Sequence, residues 1–261
     1  MKYNCTDVTF LFAFRIDSEE RLRNIEAVIL YLQQTMDCHF LLLEADRVPR
    51  GDSLSEIPHV SYSFCKDNQS FFHHTHYRNQ LIKKASTPIL AIWDTDVIAP
   101  FIHIREAIEQ LRNSPIAVAW PYDGICYSLF QEESEQFSQT KEIQTILSKK
   151  DTFPKMFGWL TNGGAFFVKR DLYLRMGMEN EYITGWGPED QERLKRMAIL
   201  DYPLYRVRGD LFHLWHPRGI TSTYVTREIK RKNISEYLRV CSLSKEALEQ
   251  EARNWPWSNE L

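Results

Sequence analysis

Three short segments of this chain carry residue types that could do chemistry. Trp93-Asp94-Thr95-Asp96 closes an apolar run that starts at Pro88. Gly185-Trp186-Gly187-Pro188-Glu189-Asp190 opens a segment with helical marks, and His213-Leu214-Trp215-His216 follows. In open α/β sheets, ligands gather at the carboxyl ends of strands. Asp94 and Asp96 would stand there, repelling each other unless a cation or hydrogen-bond donors compensate. A divalent ion bridging to phosphate oxygens compensates economically. The plainer alternative is a solvated turn with an aspartate capping a helix.

The second segment reads differently. Its glycines let the backbone approach a ligand closely, and Trp186 offers a flat apolar wall. Glu189 and Asp190 fall in a first helical turn, where the macrodipole favours the anionic form by ~0.3–1 kcal/mol. A general base must be ionised yet desolvated enough to accept a proton. Acids are common in first turns, but a bare cap needs no tryptophan. In the third segment, neutral imidazole joined to carboxylate suits Mn2+ better than Ca2+. Residues three apart on a regular strand face opposite sides. Both histidines can reach one ion only if the chain turns, which Pro217 and Gly219 allow. His216 is favoured as ligand over His213, and either could be an ordinary core or surface histidine. Together the three segments offer metal ligands for a diphosphate and one carboxylate free to act as a base.

Other clusters are weaker. His73, His74 and His76 are dense, but nothing nearby supplies cysteine or a second spaced pair. They read as a polar loop or helix start, with contact to a ligand as the lesser alternative. Arg78 and Asn79 lie one helix before Asp94, either on an exposed face or as a clamp for phosphate or carboxylate. Arg227, Lys230, Arg231 and Lys232 read first as a solvated face, and second as a contact for anionic lipid or a lipid-linked acceptor.

The elements that must position these residues follow from periodicity. Strands are expected at Val8–Phe14, His39–Glu44, Val60–Phe64, Pro88–Trp93, Ile116–Trp120, Gly163–Val168, Leu204–Val207 and Leu211–Leu214. The run 88–93 is apolar throughout, as in a central strand buried on both faces. A helix follows the first strand, with Asp17 as cap and Glu20 as its capping-box partner. Leu22, Ile25, Ile29 and Leu32 recur at helical spacing within it. Further helices are expected at Tyr77–Ala85, through Ile104, Ile108 and Leu111, and at Glu189–Leu200, Thr226–Leu238 and Lys245–Asn254. Glu132–Lys150 reads as a helix or a mobile insertion.

The composition bounds the class. The chain has 261 residues, 43% hydrophobic and 26% charged, with a net charge of −3. That fits one large α/β domain or two small ones, with no global pull toward nucleic acid. Aromatic content of 13% suits sugar stacking but is explained as well by core packing. Five scattered cysteines form no CxxC, which argues against a disulfide framework and for a reducing compartment. No stretch approaches the ~20 apolar residues of a membrane span. The N-terminus lacks a long apolar signal core, so a cytosolic protein, at most membrane-peripheral, is expected.

In its order of strand, helix, DxD, Gly-Gly strand, Gly-Trp-Gly-x-Glu-Asp and later His, the chain resembles the metal-dependent glycosyltransferases of GT-A fold. The likeness is nearest to the β-1,4-galactosyltransferase and chondroitin-polymerase type, which invert the anomeric centre. It spans roughly residues 8 to 219; Pro188 stands where that type usually has Gly, and Gln191 where it has an acid. The resemblance implies an α/β fold with a Rossmann-like, mixed and mainly parallel central sheet flanked by helices over residues 1–225. A helical extension, 226–261, would pack on it. It implies Asp190 as catalytic base, with Glu189 holding sugar hydroxyls and Trp186 between donor and acceptor. Arg15 would touch the nucleotide base or ribose, and Arg78 the donor. Asp94 would lie near the ribose and metal shell, and Gly163 and Gly164 would border the donor sugar. Asp96 and His216 would bind the metal, with His213 as a second ligand position.

The activity so implied is inverting transfer of a hexose or N-acetylhexosamine, galactose-type favoured, from a UDP-sugar with Mn2+ or Mg2+. The acceptor would be an oligosaccharide or lipid-linked saccharide, as in bacterial surface polysaccharide synthesis. Two alternatives stand beside it. A nucleotidyltransferase acting on sugar phosphates would need a Gly-rich loop and basic residues near the first strand, and Phe14-Arg15-Ile16-Asp17-Ser18 offers neither a GxG nor a lysine. A non-catalytic sugar-binding module would explain Trp186 but needs no DxD with a distant histidine.

Overall fold

The computed structural model describes residues 2–219 and 226–258. Strand β1 (Tyr3–Phe14) starts earlier than its apolar run, because Tyr3 and Asn4 already pair with strand β2 (Met36–Asp46) before an irregularity in register. Helix α1 (Glu19–Thr35) joins them and makes the pair parallel. Its cap is Ser18, whose hydroxyl accepts from Arg21 N at 3.3 Å. Asp17, the expected cap, instead pairs with Arg21 Nε at 2.8 Å. Strand β3 (Val60–Lys66) adds to β2, and helix α2 (His74–Lys84) leads to strand β4 (Ile89–Trp93) beside β1. Every residue of β4 is buried, as the unbroken apolar run requires of a strand flanked on both sides.

The remaining strands of this sheet are β6 (Val118–Trp120), β8 (Ala165–Lys169) and β9 (Leu204–Arg206). The order is β3-β2-β1-β4-β8-β6-β9, with β8 antiparallel to both neighbours and every other pair parallel. The mixed, mainly parallel sheet flanked by helices is the architecture that the resemblance implied. The expected strand at Gly163–Val168 begins only at Ala165; its two glycines form the entry. Helix α3 (Phe101–Asn113) covers β6, β8 and β9 with Ile104, Ile108 and Leu111 buried.

A second sheet joins β5 (Val97–Ile98), β10 (Asp210–His213) and β7 (Ile125–Ser128) in the order β5-β10-β7. The segment after Glu132 holds helices α4 (Gln131–Thr140) and α5 (Ile143–Ser148), anchored by Phe137 edge-on to Tyr31 of α1 at 5.5 Å. Helix α6 (Arg170–Arg175) follows β8 directly. Helix α7 (Glu189–Ile199) packs against α8 (Arg227–Cys241) and α9 (Lys245–Asn254). The boundary expected at residues 225 and 226 falls at the edge of a stretch, 220–225, outside the described residues. Among the described residues no helix is long and apolar enough to cross a membrane, and all five cysteines are free.

Candidate active site

One pocket at the carboxyl end of β4 is lined by every site residue named from the sequence: Arg15, Arg78, Asp94, Asp96, Gly163, Gly164, Trp186, Glu189, Asp190, His213 and His216. Two backbone ladders assemble it. The chain leaving Asp96 enters β5, which runs antiparallel to β10, with Val97 opposite His213. Leu214 N also donates to Asp96 O at 2.7 Å. On the other side, Asp94 N donates to Gly164 O at 2.8 Å, tying the acidic turn to the Gly-Gly entry of β8.

Asp96, His213 and His216 each present a ligand atom, and these atoms lie within 4.8 Å of one another. His213 ends β10; the chain then turns, so both imidazoles reach the same carboxylate. Asp96 Oδ2 lies 3.2 Å from His216 Nε2, and Oδ1 lies 3.6 Å from His213 Nε2. His216 Nδ1 sits 2.8 Å from Pro217 O. A carbonyl oxygen can only accept, so Nδ1 carries a hydrogen and Nε2 is the nitrogen turned toward the Asp96 carboxylate. Burial alone would raise the Asp96 carboxyl, but His213, His216 and Arg21 outweigh it and hold the group well below the usual carboxylate range. Burial pushes the His213 imidazole down to about 4 against the pull of Asp96, leaving it neutral. The donor set of one carboxylate and two imidazoles fits a borderline divalent ion.

Asp94 accepts from Arg78 Nη2 at 2.8 Å. Its side chain is 40% exposed to the pocket, yet the surrounding protein bulk, with Asp96 and Asp190 near, outweighs Arg78 and pushes its carboxyl up to about 6. Arg15 is held by Asp67 at 2.7 Å and Ala45 O at 3.0 Å, with Phe72 under its guanidinium at 5.7 Å.

The Gly185–Asp190 segment forms the opposite wall. Gly185 takes φ +65°, a conformation that favours glycine. The segment before it is pinned to α2: His73 Nε2 donates to Glu181 O at 3.1 Å, and Thr75 Oγ1 to Ile183 O at 2.9 Å. Glu181 also bonds His76 at 2.8 Å and Asn79 at 2.9 Å. Buried Asn233 of α8 makes two bonds to Thr184. Glu189 is buried, with an Oε2 that has no hydrogen-bond partner. Burial and the neighbouring Asp190 push its carboxyl up to about 8. The Asp190 side chain is 27% exposed and ion-paired with Arg193 Nη1 at 3.0 Å.

Sequence reasoning overlooked several pocket groups. Arg21 reaches across from α1 to Asp96 Oδ2 at 3.2 Å. His74, read as polar loop or helix start, opens α2 and lines the pocket. Burial, reinforced by Arg78 and Arg21, holds its imidazole well below the ordinary range. Tyr122 donates its hydroxyl to Gly163 O and so fixes the glycine entry. Arg193 was legible as a basic residue three positions after Asp190; its partner Glu179, far off in sequence, was not. The basic residues Arg227, Lys230, Arg231 and Lys232 are exposed on α8.

No protein-family model matches the chain, and no curated protein matches it. Solved structures match it in shape. Glucosyl-3-phosphoglycerate synthase from Mycobacterium tuberculosis, in complex with Mn2+, UDP and phosphoglyceric acid, superposes with a TM-score of 0.53 at 11% identity, over 90% of this chain and 78% of that one. A mannosyltransferase from Pyrobaculum calidifontis, in complex with GDP-Man and Mn2+, gives 0.55 at 15% identity, over 97% of this chain and 71% of that one. The catalytic domain of Drosophila β1,4-galactosyltransferase 7 gives only 0.41 at 16% identity, over 76% and 63%, and carries no argument. At such identities the likeness establishes the fold, which is GT-A.

Proposed function

We propose that this chain is an inverting, metal-dependent glycosyltransferase that moves a hexose or N-acetylhexosamine from a UDP-sugar to a saccharide hydroxyl. One observation carries the reading: a carboxylate–imidazole cluster suited to a divalent ion and a partly exposed carboxylate, Asp190, share a single pocket on a GT-A fold. Asp96, His213 and His216 would hold Mn2+ or Mg2+, which when bound supplies positive charge to a departing diphosphate. Arg78 and Asp94 would orient the donor, and Arg15 would meet the nucleoside. Asp190 would accept the proton of the acceptor hydroxyl as that oxygen attacks the anomeric carbon. The new C–O bond forms opposite the bond to the diphosphate, whose electron pair leaves with UDP. Glu189, its carboxyl raised by burial and by Asp190, would in its protonated form donate a hydrogen bond to a sugar oxygen. Galactose-type donors and a saccharide acceptor of bacterial surface polysaccharide, free or lipid-linked, are the finer reading. The exposed basic face of α8 suits a peripheral contact with anionic lipid.

A panel of UDP-sugars tests this. With Mn2+, UDP should be released slowly from one or two of them without acceptor and faster with a saccharide acceptor. The product should carry the inverted anomeric configuration by NMR. Release of pyrophosphate from UTP and a sugar 1-phosphate, with no UDP released from any UDP-sugar, would replace the proposal with nucleotidyl transfer, and release of neither would leave a binding protein.

A further inference from the structure

Asp190 does not stand alone at the head of α7. Arg193, one turn on, has its Nη1 3.0 Å from Asp190 Oδ1, and its side chain is 1% exposed. The same guanidinium is locked from behind. Its Nε lies 3.2 Å from both oxygens of Glu179, its Nη2 lies 3.2 Å from Glu179 Oε2, and it stacks over the Phe166 ring at 4.5 Å. Glu179 is itself fixed by the Tyr173 hydroxyl at 2.8 Å and, through its backbone, by both ends of the Asn79 amide. A chain of short contacts therefore runs from α6 and α2 to one oxygen of Asp190. The other oxygen, Oδ2, faces Gly163 at the pocket wall.

We infer that Arg193 is a positioning residue for the base: it holds Asp190 by Oδ1 so that Oδ2 is presented to the acceptor. The inference rests on the reading of Asp190 as the base. A carboxylate at the start of a helix has several rotamers open to it, and a base misplaced by about 1 Å can lose about 100-fold in rate. A buried guanidinium nitrogen also needs an acceptor. Arg193 Nη1 has an ion-pair partner in Asp190 but no aligned hydrogen bond. Catalytic hydrogen bonds of this kind tighten when substrate docks. Lysine at this position would keep the charge but lose the planar fork that engages Glu179 and Asp190 together.

The experiment is a double-mutant cycle with donor binding read separately. Arg193→Lys should lower kcat by about 100-fold, while the KM for the UDP-sugar and the calorimetric Kd for UDP with Mn2+ stay unchanged. In an Asp190→Asn background, Arg193→Lys should lower the residual turnover no further, because it acts only through that carboxylate. Equal losses in both backgrounds, or a parallel loss of donor binding and turnover, would show a structural role and overturn the inference. Should Arg193→Lys melt below the assay temperature, Glu179→Gln takes its place with the same expectation. Normal turnover by Asp190→Asn alone would remove the base reading itself, and this is seen before Arg193 is touched.

Discussion

A Cβ placed on Gly163 would overlap Asp190 Oδ2 and lie 2.7 Å from its Cγ. The glycine that enters β8 therefore leaves exactly the volume that the carboxylate at the head of α7 fills. Gly163→Ala should displace the Asp190 carboxylate while leaving the metal cluster on the far side intact. The expected outcome is a loss of about 100-fold in kcat with unchanged calorimetric binding of UDP and Mn2+. Retention of full turnover would mean that Oδ2 is not the atom that meets the acceptor.

His216 lies closer to Asp96 than His213 does, at 3.2 Å against 3.6 Å, and its side chain is 3% exposed against 13%. Asp96→Ala should abolish Mn2+-dependent UDP binding. His216→Ala should weaken it more than His213→Ala. Titration calorimetry with Mn2+ ranks the three, and the reverse order of the histidines would reassign the ligand set.

Glu189 gives a pH dependence whose sign is fixed by its environment. Its carboxyl is raised from 4.5 to about 8, by burial first and Asp190 second. The folded state thus binds a proton that the unfolded chain has released. The associated stability is full below about pH 4.5 and is lost as pH rises through about 8. Glu189→Gln should remove this loss, so that urea denaturation shows the variant gaining on the parent between about pH 5 and pH 8. Identical pH profiles would show that Glu189 is ionised in the fold.

Asn233 is fully buried and holds both backbone groups of Thr184, at 3.1 and 2.8 Å, just ahead of the Trp186 segment. Asn233→Ala leaves those groups unpaired, a cost of about 1–3 kcal/mol. The acceptor KM should rise and UDP binding should not. A variant as stable as the parent would show that water replaces the amide without loss.

The strongly patterned parts of the chain were legible from sequence. The apolar run 88–93 announced a central strand, and Leu22, Ile25, Ile29 and Leu32 announced α1, because a buried face imposes its period on many residues at once. The short elements were not: β5 has two residues and β7 four, too few for any period, and they exist because β10 lies beside them. The cap of α1 was misjudged by one position, since Asp17 and Ser18 are both competent caps and the ion pair with Arg21 decides between them. In the site, residue types pointed to the acids and histidines that the fold brings into one pocket. What they could not tell was which distant groups stand behind them. Glu179 behind Arg193 and Asn233 behind Thr184 are set by packing among α2, α7 and α8, which leaves no local signal.

The pairing of β5 with β10 has a consequence for how the metal is used. Asp96 and His213 are brought together by main-chain hydrogen bonds of the small sheet. A zinc finger, by contrast, is held together by its ion and unfolds without it. An ion held as proposed by Asp96, His213 and His216 would be a passenger rather than a rivet. It could arrive and depart with each nucleotide, and dialysis against a chelator should leave the melting temperature nearly unmoved.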